Sequence, residues 1–311
     1  MPFKGSANRS AGKLIKAYNQ ADIGPDGLTG NNIRGQYPPA AGGIGPSGMT
    51  ATGGEVNPYT DPAGLAWTSH TFTSSGSFVV TKAPGDTPAD CEFWLQGAGG
   101  GGKTNPMGGG PGPAGGCREA GSGAGGALAG PAGPLATGTY PVTIGGGGST
   151  GNGNDSVFNT PGPGPGPYTA LGGGAGGAGD PSPANMGNDG GCGGGGWYQG
   201  NQPNKGEGSQ PQPHPSITAY GNPGYDGTGS PEYGGAGGGT GGAGGRGATE
   251  GPGTTNVYRY GPGTPQVYGV GGESSDFPAT NRQAAGTVNT GNGSSGTATG
   301  GSGILVIRYR A

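Results

Sequence analysis

Glycine most constrains how this chain can fold, because 86 of its 311 residues are glycine. Each glycine samples both signs of φ, so ordering it costs more conformational entropy than ordering any other residue. Many glycine-rich chains are therefore flexible linkers. Glycine also lets two backbones approach each other with no side chain between them. We expect this second behaviour, with the glycine runs packed against one another.

The longest glycine runs occupy residues 173–179, 190–196 and 234–247. Within the last run, Thr240, Ala243 and Arg246 are spaced by three, which matches the three residues per turn of polyproline II and neither an α-helix nor a β-strand. Residues 161–166 alternate glycine and proline, and proline has the φ of the same conformation. Such segments pair laterally when they lie side by side, which satisfies the backbone without a large apolar core.

Short apolar segments separate the glycine runs, and their β-branched and aromatic residues predict strands. The predicted strands are 67–73, 78–81, 91–96, 138–144, 156–159, 168–171, 256–260, 266–270 and 304–310. The last is the most apolar run of the chain, and its structural residues are Ile304, Leu305, Val306, Ile307 and Tyr309. The predicted fold is mainly β: a β-sandwich-like frame with glycine-rich polyproline II-type segments and an extended N-terminal arm.

Residues 1–66 differ in composition from the rest, which predicts an anchoring arm followed by a glycine-rich β domain over 67–311. The arm is basic and rich in turn signals, and it has too little apolar content for a core of its own. Its candidate partner-binding residues are Lys4, Arg9, Lys13, Leu14, Ile15 and Tyr18. The alternative is a tail that packs on its own domain, and the sequence does not decide between the two.

Charge and cysteine usage exclude several functions. Charged residues make up 10% of the chain and the formal net charge is −3, so no basic face is available for nucleic acid or membrane surfaces. No run approaches the roughly 20 apolar residues of a membrane span, and the start of the chain has no apolar core of a signal peptide. Cys91, Cys117 and Cys192 are widely separated, which predicts no zinc site and leaves open three buried thiols or one disulfide.

Residues 97–104 match the phosphate-binding pattern GxxxxGK[ST] and follow a predicted strand. That motif works when a helix begins at its end, because the helix N-terminus supplies amide groups and positive potential. Here Pro111, Pro113 and many glycines follow and disfavour a helix. Chance matches to glycine motifs are expected in such a chain, so we expect no nucleotide site, no cofactor and no metal.

Aromatic residues in the glycine-rich half are candidates for surface recognition, since tyrosine offers a rigid amphipathic contact surface. The candidates are Trp197, Tyr198, Tyr220, Tyr225 and Tyr233. The segment 197–233, which contains them, has the composition of exposed loops. The alternative is that these side chains cap the glycine layer and fill the space that glycine leaves.

The order of several segments resembles the glycine-rich domain of bacteriophage tail-fibre and other virion structural proteins. The segments are FTSSGSFVV (72–80), CEFWLQGAGGGG (91–102), GGCREA (115–120), GTYPVTIGGGG (138–148), DSVF (155–158), TALGGGAGG (169–177) and GGSGILVIRYR (300–310). The resemblance covers about residues 70–311 and implies a virion component, often at an exposed appendage. It also implies packed polyproline II-type helices with loops at the tip. The chain has no heptads or stalk repeat, and residues 1–66 match nothing in that family.

We therefore expect a non-enzymatic phage structural protein, such as a tail fibre or adhesin, on the virion surface and assembled in the host cytoplasm. Its expected partners are other virion proteins through residues 1–66, host surface glycans or proteins, and further copies of itself, as a trimer. A capsid decoration protein or head fibre is the alternative. A cell-wall or silk-like protein is a further alternative, although such proteins carry longer uniform repeats than this chain. A P-loop nucleotide-binding protein is the alternative that we rank last.

Overall fold

The computed structural model describes residues 48–83, 91–103, 120–132, 135–160, 166–178, 186–197, 204–229, 232–247, 249–274 and 284–311. Within these ranges the chain is all-β and has no helix, which confirms the predicted fold class. The strands are β1 (Thr50–Thr52), β2 (Glu55–Thr60), β3 (Ala66–Phe72), β4 (Gly76–Lys82), β5 (Glu92–Gln96), β6 (Ala127–Pro131), β7 (Gly138–Thr143), β8 (Ser156–Phe158), β9 (Tyr168–Ala170), β10 (Thr218–Tyr220), β11 (Thr228–Gly229), β12 (Glu232–Tyr233), β13 (Thr254–Asn256), β14 (Gln266–Tyr268) and β15 (Ile304–Arg310).

Two antiparallel sheets form the frame. One has the order β1-β4-β7-β8-β9 and the other the order β10-β6-β5-β15-β3-β2, and two small hairpins, β11–β12 and β13–β14, accompany them. The main apolar core lies between the two sheets, because it takes side chains from both. Its large members include Phe78, Tyr140, Phe158, Tyr168, Phe93, Leu95, Leu128, Leu305 and Ile307.

The C-terminal strand β15 lies inside the six-stranded sheet, paired with β5 on one side and β3 on the other. Leu305, Ile307 and Tyr309 face the main core, whereas Ile304 and Val306 belong to a second apolar cluster on the outer face of this sheet. The second cluster also contains Trp94 and Tyr268. Burial on both faces explains why the last strand reads as one continuous apolar run.

Strands β1 and β2 lie within residues 1–66, the range that the sequence assigns to an arm. They pair with β4 and β3, so the sheet domain includes residues from Thr50 onward. Both are edge strands, and β2 contains Pro58, which an edge tolerates because one of its sides needs no backbone donor. Most β2 side chains are exposed, which is why the sequence shows no apolar alternation there.

Glycine segments extend from one end of both sheets and form what we call the glycine layer. Residues 97–102 continue β5, residues 120–126 lead into β6, residues 171–177 follow β9 and residues 298–303 lead into β15. At about 3.1 Å per residue in polyproline II, the six residues 97–102 reach about 18 Å from the sheet.

Backbone hydrogen bonds within the glycine layer repeat every three residues. Residues 97 and 100 donate to 126 and 123, residues 98 and 101 to 154 and 151, and residues 99 and 102 to 301 and 298, at 2.8–3.2 Å. Each turn of this segment therefore points its N–H groups at three neighbours in rotation, as the three residues per turn of polyproline II require. Residues 121–126 repeat the arrangement with three neighbours of their own.

Close approach of backbones explains why the layer consists of glycine. A Cβ on Gly123 would lie 2.2 Å from the Cys192 carbonyl oxygen, and one on Gly100 would lie 2.3 Å from the Gly174 oxygen. Polar side chains also accept hydrogen bonds from amides of the layer. Asn152 Oδ1 accepts the Ala175 N–H at 3.0 Å, and Asp155 Oδ1 accepts the Gly172 N–H at 2.8 Å.

The predicted spacing of Thr240, Ala243 and Arg246 does not lie along one helical segment. The chain reverses near residues 240–241, where Gly239 and Gly242 form a bridge. Thr240 is buried at this reversal, and its hydroxyl donates to the Tyr268 carbonyl oxygen at 2.9 Å. Ala243 and Arg246 lie on the returning segment, where both are exposed.

Candidate functional site

The domain has two unlike ends. The base is the end of the sandwich at which the chain enters through Thr50, paired with Lys82, and leaves through Arg310, paired with Trp67. The far end is the side of the glycine layer away from the sheets. There the Gly195 amide donates to the Gly121 carbonyl oxygen, and the Gly121 amide donates to the Gly235 carbonyl oxygen. The three segments therefore lie side by side at this end.

Several described segments of the glycine layer stop at the far end. They stop at Lys103, Ala178, Trp197 and Ser274, and each of these segments runs away from the frame. The Ser274 hydroxyl oxygen lies 2.8 Å from the Gly234 carbonyl oxygen and 2.5 Å from the Gly247 carbonyl oxygen, so its one hydrogen is shared between two acceptors and three segments meet at this end. The frame thus holds one end of the layer, and these four described segments end at the other.

The predicted recognition residues occupy different surroundings. Tyr225 is at the far end and is 38% exposed, in agreement with an accessible side chain. The prediction that Trp197 is a surface recognition residue is wrong, because its side chain is only 8% exposed and packs into the layer. Its carbonyl oxygen accepts a hydrogen bond from Asn204 Nδ2. Tyr220 lies on the frame, 5.2 Å from the Trp94 ring. Tyr198 and the side chain of Tyr233 lie outside the described residues.

The phosphate-binding pattern at 97–104 lies inside the glycine layer over its described residues, 97–103. All six amide groups from Gly97 to Gly102 donate to carbonyl oxygens of neighbouring segments. A phosphate-binding loop needs such N–H groups free to face the ligand. Lys103 Nζ donates to the Met186 carbonyl oxygen at 2.7 Å and to Asn188 Oδ1 at 2.8 Å, and burial lowers its pKa. The pattern therefore serves the packing of the layer.

An aromatic and arginine cluster lies at the base, on the outer face of the six-stranded sheet. The Arg308 guanidinium lies between two rings, with its carbon 4.3 Å from the Trp67 centroid and 3.9 Å from the Tyr258 centroid. Arg308 Nε donates to Glu92 Oε2 at 2.7 Å, and Nη1 donates to the Tyr59 hydroxyl at 3.1 Å. Strand pairing brings these residues together, since Tyr59 is opposite Trp67 and Arg308 is opposite Glu92.

Burial in the base cluster favours the neutral form of its tyrosine hydroxyls, because it raises the pKa of Tyr59 and Tyr258. Burial raises the pKa of the Tyr258 hydroxyl to about 12; Glu92 adds to the rise and Arg308 opposes it. Asp61 holds the edge of the Trp67 ring, because its Oδ2 accepts the indole N–H at 3.0 Å. The Leu65 amide and then this indole N–H lower the pKa of Asp61. The sequence analysis missed this cluster, whose members come from four separate segments; the one local signal was Arg308 and Arg310 alternating with Tyr309 in the last strand.

The remaining predicted sites are placed as follows. Lys4, Arg9, Lys13, Leu14, Ile15 and Tyr18 lie outside the described residues. Cys91 and Cys192 are buried free thiols, and Cys117 is not described. Among the described residues, no group of three or more His, Cys, Asp or Glu side chains is arranged to bind a metal ion. No helix in the same ranges is long and apolar enough to span a membrane.

No protein-family model and no curated protein matches the sequence of this chain.

Proposed function

We propose that this chain is a non-enzymatic structural protein of a bacteriophage particle, exposed on an appendage such as a tail fibre or adhesin. One observation carries the proposal: the described domain begins at the base, and the described segments of the glycine layer run from the frame to the opposite end. A protein attached through the residues before Thr50 would present its far end outward. The resemblance of residues 70–311 to glycine-rich virion domains supports the same conclusion.

The bonding of the layer suits it to a spacer. Each described amide from Gly97 to Gly102 donates to a neighbouring segment, so the layer does not depend on a large apolar core for its order. Such a layer holds its ends at a fixed distance from the frame. Tyr225 supplies an exposed, rigid aromatic surface at the far end, a type of side chain suited to contacting host glycans or proteins.

Composition of purified particles is the first test of this proposal. The chain should be found among the proteins of the virus that encodes it, by mass spectrometry of particles freed from host protein. Its absence from particles, while it is abundant in infected cells, would contradict the proposal.

Binding of the purified chain then separates an adhesin from a decoration protein. We expect the labelled chain to bind host cells and not tail-less capsids. Tyr225→Ala should weaken binding to cells, because Tyr225 is exposed at the far end. Val56→Ala, at a residue 52% exposed on β2 of the frame, is the matched control and should leave binding unchanged. Binding to capsids alone would assign the chain to capsid decoration proteins or head fibres.

A further inference from the structure

The corner between β1 and β2 connects the two sheets of the frame. Strand β1 belongs to the five-stranded sheet and β2 to the six-stranded sheet, and only Gly53 and Gly54 lie between them. Gly53 has φ +104°, and a Cβ there would lie 2.1 Å from the Ser77 carbonyl oxygen. The corner is thus a tight crossing that packs directly against the beginning of β4.

A buried histidine holds this corner. His70 Nδ1 lies 2.7 Å from the Gly53 carbonyl oxygen, and Nε2 lies 3.2 Å from the Tyr309 hydroxyl. A carbonyl oxygen only accepts, so Nδ1 carries the hydrogen, and Nε2 of the neutral ring accepts the tyrosine hydrogen. The Ala51 backbone is near enough to the Tyr309 hydroxyl to oppose the rise that burial causes in its pKa, so His70 and Tyr309 together lie against both sides of the crossing.

The surroundings of His70 favour the neutral ring. The Phe78 ring lies edge-on at 5.1 Å, the Tyr309 ring stacks at 5.6 Å, and the side chain is fully buried. The residues paired with His70 on the adjacent strands are the apolar Val56 and Ile307. Tyr309 is the titratable side chain facing the imidazole among the described residues, and no charged group contributes to the His70 pKa, which burial lowers.

We propose that His70 is an acid-sensitive latch that holds the β1–β2 corner closed when neutral and weakens it when protonated. Protonation places a second N–H on the imidazole, at Nε2, so Tyr309 can no longer donate its hydroxyl hydrogen to this ring. The new charge lies among apolar side chains with no carboxylate to pair with. Opening the corner exposes the imidazole to water and removes that cost.

The direction of the pH effect follows from linkage. The folded-state pKa of His70 lies below the ordinary value of 6.5, so the open state binds a proton more readily than the closed state. The latch contributes its full stability above pH 6.5, and this contribution is lost as the pH falls through the folded-state pKa. Within that window the equilibrium constant for opening rises by up to about tenfold per pH unit for one proton.

Nuclear magnetic resonance on the full chain tests the latch directly, because the protein has only two histidines. We expect the His70 imidazole to titrate together with faster amide exchange in residues 50–56, after correction for intrinsic rates. Exchange in the glycine layer, for example at Gly100 and Gly123, should not follow the same curve. If His70 becomes protonated while exchange in 50–56 stays constant, the proposal is overturned.

Two variants give matched controls. His214→Asn changes an exposed histidine that bonds Ser216 in a loop, and it should keep the pH dependence of the corner. His70→Asn keeps an amide donor near the Nδ1 position but does not titrate, and it should remove that dependence. Persistence of the same pH profile in His70→Asn would also overturn the proposal, and if this variant does not fold, the titration of the native chain decides.

Discussion

The Arg308 guanidinium carbon lies 4.3 Å from the centroid of the Trp67 ring, across two neighbouring strands at the base of the sandwich. The same guanidinium contacts the Tyr258 ring on another side and binds Glu92 through its Nε. Planarity matters here, because stacking between two rings and pairing with a carboxylate both use the flat guanidinium, which lysine cannot reproduce.

Arg308→Lys should therefore destabilise the domain although it keeps the charge. We expect a loss of about 1–2 kcal/mol in the free energy of unfolding, the size of a partly buried cation–π contact together with a charge-assisted hydrogen bond. Urea unfolding followed by circular dichroism measures it. Lys82→Arg, the reverse exchange at an exposed position at the end of β4, is the control and should change stability by less than about 0.5 kcal/mol. Equal effects of the two variants would contradict this role of Arg308.

Glycines of the layer that lie directly against a neighbouring backbone should not tolerate a side chain. In Gly123→Ala the new Cβ would lie 2.2 Å from the Cys192 carbonyl oxygen, so backbone segments must move apart, at a cost of about 1–3 kcal/mol or more. Gly151→Ala is the matched control, because nothing lies within 4 Å of a Cβ there and its φ is not positive. Thermal unfolding of both variants provides the comparison. Unfolding midpoints that fall equally would show that close approach does not explain the glycine content.

How much of this fold the sequence predicts depends on whether the signal is local. Strand β15 was predictable because Ile304–Arg310 is buried on both faces and therefore apolar at nearly every position. That the glycine segments pair laterally was predictable, because few other arrangements give hydrogen-bond partners to so many backbone amides of glycine. Which segments become neighbours was not predictable, since Gly99 bonds Gly301, which is distant in the sequence and lies in a glycine-rich context like that of many other segments.

The base cluster and the histidine latch could not be predicted from the sequence for a related reason. Tyr59, Trp67, Glu92 and Arg308 are scattered over the chain, and only strand pairing makes them neighbours. His70 stands among threonines and serines, a composition typical of a solvent-facing strand, so the local sequence gives no signal of its burial. The structure places it between the two sheets, where the polar ring is satisfied by Gly53 and Tyr309.

Nucleotides should not bind at residues 97–104, because the amides of Gly97–Gly102 are engaged within the layer. Calorimetric titration of the native chain with Mg·ATP should give no binding heat, and Lys103→Ala should behave in the same way. The substitution should instead lower stability by about 1 kcal/mol, since Met186 and Asn188 lose a donor. Measurable ATP binding that disappears in Lys103→Ala would contradict the structural role assigned to this segment.

The thiols of Cys91 and Cys192 should be unreactive in the folded chain. Both side chains are buried, and burial raises the pKa of Cys192 to about 12 and that of Cys91 further still, which removes the reactive thiolate. A Cys117→Ser variant leaves only these two thiols. Its reaction with a disulfide reagent at pH 8 should be slow under native conditions and complete after denaturation. Rapid modification without loss of β-structure would show that the layer opens around Cys192.

Removal of the last strand should abolish folding. Residues 304–311 supply the fully buried Leu305 and Ile307 to the main core and Ile304 and Val306 to the outer cluster, and β15 pairs with both β5 and β3. Their deletion leaves β5 and β3 each without a partner along one edge and opens the core, a loss larger than the roughly 5–15 kcal/mol that holds a typical domain together. Deletion of Ala311 alone is the control, because that residue is exposed and contributes one backbone bond to Ala66. We expect the control to remain monodisperse with a native circular dichroism spectrum, and the longer deletion to be unfolded or aggregated. If the longer deletion is soluble and monodisperse with an unchanged spectrum, β15 is not essential to the frame.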